Sequence, residues 1–177
     1  MALAITSFQA LCGFRPLPEI AYYLNNTPEL KALIPSPIIN DFLSISSSSN
    51  PTGPAEKVAL KNLFASLMTA DESTIHDQLD ILVKRYQSQA TQDDDIVQLV
   101  LRLNEQFPGD IGIFCPFVLN YVRLDPGQAI FLGAGEPHAY ISGGKPLIST
   151  HRTPHHLQIT QNASNAWPIP TTSYAQD

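Results

Sequence analysis

Leu124-Asp125-Pro126-Gly127-Gln128-Ala129-Ile130-Phe131-Leu132-Gly133-Ala134-Gly135-Glu136-Pro137-His138-Ala139-Tyr140-Ile141-Ser142-Gly143 is the stretch on which the reading of this chain turns. Asp125-Pro126-Gly127 has turn chemistry: an Asp that bonds its own backbone, a Pro with φ already set, and a Gly that tolerates positive φ. Ala129 to Leu132 follows as a short apolar strand, and Gly133-Ala134-Gly135 bends the chain. Glu136-Pro137-His138 then presents an imidazole just ahead of another strand, on a backbone stiffened by proline. Neutral imidazole is a good ligand for zinc and similar metals. From the residues alone the plainer expectation is a histidine bonded to backbone, because a metal site needs three or four ligands.

The rest of the chain bounds what such a site could serve. A length of 177 residues suits one good core, or two small ones sharing an interface. A net charge of −6 without a basic cluster argues against nucleic acid or an anionic membrane as partner. No apolar run reaches membrane-spanning length. Cys12 and Cys115 stand in apolar, strand-like contexts and read as buried free thiols of a reducing cytosol. Met1-Ala-Leu-Ala-Ile-Thr lacks a charged n-region, so a cytoplasmic location is expected and the sequons at Asn25 and Asn162 read as chance matches.

Periodicity gives an α+β pattern. Residues 1 to 14 read as strand, broken by Arg15-Pro16-Leu17-Pro18. Ile20, Tyr23 and Leu24 make a helical face, Pro28 restarts a short helix, and Ile38 to Ile45 is a further apolar segment. Ser46 to Gly53 reads as a mobile, exposed loop. Leu60, Leu63, Phe64, Leu67 and Met68 form one stripe, and Ile75, Leu79, Leu82 and Tyr86 a second. A third helix, begun at Thr91-Gln92-Asp93-Asp94, carries Val97, Val100, Leu101 and Phe107. Strands are expected over Ile111 to Val118, Asn120 to Leu124 and Ala129 to Leu132, and no structure from about Gly144 to Asp177.

Other candidate groups carry less. Glu136 could be a second ligand or a base, but with Pro137 between it and His138 it is treated as a local orienting group at best. His151, His155 and His156 have helical metal spacing that Pro154 spoils. His76 needs only an exposed polar role, and the run Asp93 to Asp95 lacks the alternating oxygen spacing of a calcium loop. Arg15 is expected to pin a carboxylate or a carbonyl.

The 124–143 stretch resembles the Pro-Gly-x-Ala…Glu-Pro-His-Ala-Tyr segment of type I mannose-6-phosphate isomerases. The opening, Met1-Ala-Leu-Ala-Ile-Thr-Ser-Phe-Gln-Ala-Leu-Cys-Gly-Phe-Arg-Pro, is similar to the segment that follows Asn-His-Lys-Pro-Glu in that family. The helical block and Phe107-Pro108-Gly109-Asp110-Ile111-Gly112 continue the likeness in order, so it covers residues 1 to 143. It implies a partial cupin (jelly-roll) β-sandwich with an inserted α-helical domain. The organisation becomes an N-terminal cupin strand segment (1–18), a helical domain (19–108), cupin strands with the Glu-Pro-His motif (109–143) and a disordered tail (144–177). The implied reaction is zinc-dependent interconversion of mannose 6-phosphate and fructose 6-phosphate through an enediol, feeding GDP-mannose synthesis and protein glycosylation. A sugar phosphate is the implied partner.

That family holds its metal with a Gln and a His from an upstream segment, the Glu of Asn-His-Lys-Pro-Glu, and the His of Glu-Pro-His-Ala-Tyr. Only the last has a counterpart, His138, and the family's catalytic-arginine segment has none. The chain as given is therefore expected to be truncated and inactive, and residues from about 144 to be out-of-frame translation. Regrouped codons from Asn162 onward permit a Cys-Met-Ala…Ser-Asp-Asn…Arg-Ala-Gly sequence like the family's. The alternative is a non-catalytic cupin-like remnant with weak metal or sugar-phosphate binding.

Overall fold

The protein is described by a computed structural model that defines residues 2–88, 94–130 and 135–143, and the backbone of 159–160. The chain opens with strands β1 (Ala2–Leu3) and β2 (Phe8–Phe14). Among the described residues six helices follow: α1 (Leu17–Asn26), α2 (Pro28–Ala32), α3 (Ser36–Ile45), α4 (Pro54–Met68), α5 (Glu72–Ser88) and α6 (Asp95–Gln106). A 3-10 helix over Ile111–Phe117 returns the chain to strands β3 (Leu119–Leu124), β4 (Ala129–Ile130), β5 (His138–Ser142) and β6 (Ile159–Thr160). The result is a helical block beside small antiparallel sheets.

Proline starts most of these helices. It occupies the first turn of α1, α2, α3 and α4, where its missing N–H is one that no helix satisfies anyway. Carboxylates start the others. Asp71 accepts from the Thr74 N–H at 3.0 Å ahead of α5, Asp94 from the Ile96 N–H at 2.8 Å, and Asp110 from the Gly112 N–H at 2.6 Å. Thr91 and Asp93, expected to help start the third long helix, lie outside the described residues.

The stripe expected of α5 is the one that is buried, Ile75, Leu79, Leu82 and Tyr86. In α4 the buried residues are Leu63, Phe64 and Leu67, with Leu60 and Met68 half-buried beside them. The α6 stripe is rotated from expectation: Ile96, Leu99, Val100 and Leu103 are buried, and Val97, Leu101 and Phe107 flank them. Starting the helix at Asp95 aims the Ile96–Leu99–Leu103 row inward.

Three expectations are corrected. Ile111–Phe117 is a 3-10 helix, not a strand. Asp110 caps it, Pro116 could not donate to a ladder, and every residue from Gly112 to Phe117 is buried instead of every second one. Ser46 to Gly53 is not uniformly exposed: Ser46 is buried and donates to the Leu43 carbonyl, and Ser48 donates to Glu56 at 2.5 Å. Within the segment expected to lack structure, Ile159–Thr160 pair with β5.

The larger sheet runs β3-β2-β5-β6, and β1 pairs with β4 separately. Strand alternation gives the larger sheet two faces. Leu11, Leu119, Ala139 and Ile141 join the helices and the 3-10 segment in the main core, with Phe14 and Tyr121 packed against it. Phe8, Ala10 and Cys12 point the other way and pack with Ala4, Val122, Leu124 and Ile130. The β1–β4 pair therefore lies on the face opposite the helices.

Candidate functional site

His138 is the first residue of β5 and its Cα partner on β2 is Cys12; Tyr140 pairs in the same way with Ala10. Alternation thus places His138 and Tyr140 on the sheet face turned away from the helical block. An aromatic row crosses that face: the rings of His138 and Tyr140 meet edge-on at 5.7 Å, and those of Tyr140 and Phe8 at 5.4 Å.

His138 Nδ1 lies 3.1 Å from the backbone carbonyl oxygen of Glu136. A carbonyl can only accept, so as a hydrogen bond this contact takes its proton from Nδ1 and, in the neutral ring, leaves the lone pair on Nε2. That is the arrangement of a metal-ligating histidine, whose second nitrogen is held by a carbonyl or carboxylate. Glu136 orients the ring through its backbone; its carboxylate instead lies toward the turn at Cys12 and Gly13. An alanine Cβ at Gly13 would come within 3.8 Å of Glu136 Oε2.

Burial, and secondly the Glu136 charge, push the Cys12 thiol up to about 11. Cys12 is thus a neutral thiol at physiological pH, a poor metal ligand and a poor nucleophile. Burial likewise raises Cys115, which lies in the 3-10 helix within the main core, on the other side of the sheet from His138. Both cysteines are free and buried.

The remaining sequence candidates are scattered. Arg15 does hold a carbonyl: its Nε donates to Pro116 O at 2.9 Å, while its other arm meets Glu19 and its plane covers Tyr23. His76 is exposed on α5 near Glu72. Asp94 caps α6 and Asp95 pairs with Arg123. His151, His155 and His156 lie outside the described residues. Among the described residues, no three His, Cys, Asp or Glu side chains converge as a metal site would need.

Residues 38–119 match the family described as phosphomannose isomerase type I, helical insertion domain. The chain is 42% identical over 147 residues to mannose-6-phosphate isomerase of Rattus norvegicus, covering 81% of this chain and 34% of the rat protein. The chain belongs to the type I mannose-6-phosphate isomerase family. The human mannose-6-phosphate isomerase is 40% identical, over 81% of this chain and 34% of its own length. The chain spans about a third of the length of the curated relatives it matches. A crystal structure of mannose 6-phosphate isomerase, holo and zinc bound, superposes with a TM-score of 0.61 at 31% identity, covering 80% of this chain and 32% of that one. Mutants of the Salmonella typhimurium phosphomannose isomerase match similarly, one with a TM-score of 0.61 at 30% identity. Zinc is the metal of that solved relative. An imidazole held at Nδ1 by a carbonyl has donor chemistry suited to zinc.

Sequence reading passed over two residues of this neighbourhood. Gly13 adopts φ +65°, and the Asn120 amide points into the same turn. A glycine inside a strand pattern, Cys12-Gly13-Phe14, was a legible sign of a bulge. Nothing local marks Asn120.

Proposed function

We propose that this chain is part of a zinc-dependent isomerase that interconverts mannose 6-phosphate and fructose 6-phosphate, with His138 as one zinc ligand. The observation that carries the reading is the Nδ1 contact to the Glu136 carbonyl, which gives His138 a ligand's tautomer on the sheet face opposite the helices. When bound, zinc supplies a Lewis acid that polarises the sugar carbonyl or orders its hydroxyls. The residues of this chain orient: the Glu136 carbonyl fixes the ring, Cys12 stays protonated beside it, and Tyr140 and Phe8 wall the face.

The wider reading follows the same family. The strands would be a portion of a cupin jelly roll split into segments 1–18 and 109–143, with 19–108 as the inserted helical domain. A sugar phosphate is the partner, without nucleic acid or membrane, and a cytoplasmic place feeding GDP-mannose synthesis suits it. Among the described residues, no helix is long and apolar enough to cross a membrane.

A chimera tests this directly. Residues 1–143 replace the matching segment of the human isomerase, and fructose 6-phosphate formation is followed in a coupled assay with zinc. The chimera should turn over, and His138→Ala within it should remove both activity and bound zinc. Undiminished activity and zinc content in that variant would overturn the assignment. A second reading, weak binding without turnover, is favoured for the 177 residues alone by the lack of three converging ligands among the described residues. Turnover by the unextended chain at the chimera's rate would remove it.

A further inference from the structure

We infer that Asn120 is a positioning residue for His138, acting through a glycine bulge in β2; as a statement about a zinc ligand it rests on the reading above. The register of β2 against β3 runs Leu11 opposite Tyr121 and then Phe14 opposite Leu119. Three steps on β2 therefore match two on β3, which is one extra residue, a β-bulge. Gly13 supplies it, in the left-handed region at φ +65°.

A bulge takes backbone carbonyls out of the ladder, and they need donors from elsewhere. Asn120 provides them from the facing strand. Its Nδ2 donates to Phe14 O at 2.8 Å and lies 3.4 Å from both Cys12 O and Gly13 O. A half-buried amide on a strand of Leu, Tyr and Val is thereby matched to the one irregular turn beside it.

On its other side the bulge faces β5. The Gly13 N–H donates to Pro137 O at 2.9 Å, and Cys12 stands opposite His138. Pro137 is the residue between Glu136, whose carbonyl holds His138 Nδ1, and His138 itself. The order of constraint is thus Asn120 amide, bulge carbonyls, Gly13 N–H, Pro137 carbonyl, and then the peptide that fixes the imidazole. Asn120 need not touch the ring to choose its tautomer.

The test reads the tautomer without metal. The full 177-residue chain is examined by long-range proton–nitrogen NMR at about pH 8, where an ordinary imidazole is neutral. His138 is assigned by the loss of its signals in His138→Gln. The Nδ1–H form should dominate in the unmodified chain. Asn120→Asp keeps the shape but loses the donor, and both it and Asn120→Ala should shift His138 toward the Nε2–H form that free imidazole prefers. Leu82→Ala, destabilising but remote, should leave the tautomer unchanged, which a merely structural role for Asn120 would not distinguish. An unchanged Nδ1–H signal in Asn120→Asp overturns the inference, as does a mixture in the unmodified chain. Should neither variant fold, the unmodified chain still decides: the Asn120 side-chain amide should exchange at least about tenfold more slowly than that of exposed Asn62, and equal rates overturn the inference. Zinc is absent throughout, so failure of the zinc assignment and failure of this one are separate results.

Discussion

Glu29 and Arg85 are joined by two parallel hydrogen bonds, Nε to Oε1 at 2.8 Å and a terminal guanidinium nitrogen to Oε2 at 2.7 Å, which tie α2 to α5. The Glu29 side chain is only 4% exposed, so its charge has little water to fall back on. Breaking one side of such a pair leaves a buried charge unmatched. Arg85→Met is expected to cost about 3 kcal/mol, read as a lower urea midpoint at unchanged m-value. Glu29→Leu added to it should restore most of that loss. A single-variant loss below about 1 kcal/mol would show that the pair is solvated.

How legible this architecture was depended on the range of the forces involved. The α5 stripe at Ile75, Leu79, Leu82 and Tyr86 could be read because one face of one helix is a local pattern. Ile111–Phe117 looked like a strand because β-branched and aromatic residues suit any buried segment; the Asp110 cap and Pro116 decide otherwise. The Glu29–Arg85 pair could not be read, since its partners stand 56 residues apart and each suits an ordinary helix surface. At the candidate site, His138 and the Glu136 contact were within reach of three adjacent residues. Asn120 was not, because its partners lie more than a hundred residues away on β2.

Gly13 and Gly127 make a matched pair for testing the bulge. Both have positive φ, +65° and +88°, and neither meets tight steric resistance: a Cβ at Gly13 comes no closer than 3.8 Å to Glu136, and at Gly127 it meets nothing within 4 Å. Alanine at either site should therefore cost only the backbone preference, about 1–2 kcal/mol. The two should differ at His138. Gly13→Ala is expected to disturb the His138 ring signals in NMR and Gly127→Ala to leave them in place. Equal effects, or none from Gly13→Ala, would detach the bulge from the site.

Alkali should destabilise the fold before it titrates the buried thiols. The Cys12 thiol rises from 9.0 to about 11, through burial first and the Glu136 charge second, and burial moves Cys115 the same way. Above about pH 9 the unfolded chain releases thiol protons that the folded chain retains, so unfolding is favoured as pH climbs. The contribution is fully present below pH 9 and, for Cys12, is lost through about pH 11. Melting temperatures taken from pH 8 upward should fall across that window, and Cys12→Ala should flatten part of the fall. A slope that Cys12→Ala leaves unaltered would assign the alkaline loss to other groups.

Phe117 should act as the joint between the helical block and the sheet. It is fully buried at the end of the 3-10 helix, with its ring 5.4 Å from Tyr23 of α1 and 6.3 Å from Phe114. The next residues enter β3, and Arg15 from the β2–α1 junction anchors on the carbonyl of Pro116. One apolar cluster contains Phe114 and Phe117 together with Leu11 and Ala139 of the sheet and Leu82 and Val100 of the helices, with Tyr23 packed against it. Truncation to Phe117→Ala removes a whole ring from that cluster and is expected to cost about 3–5 kcal/mol. Because the core is shared, the helical signal at 222 nm and the NMR signals of the strand residues Leu11 and Ala139 should lose midpoint together, in a single transition. Two separated transitions, with only the helical one shifted, would mean that the helices and the strands keep independent cores.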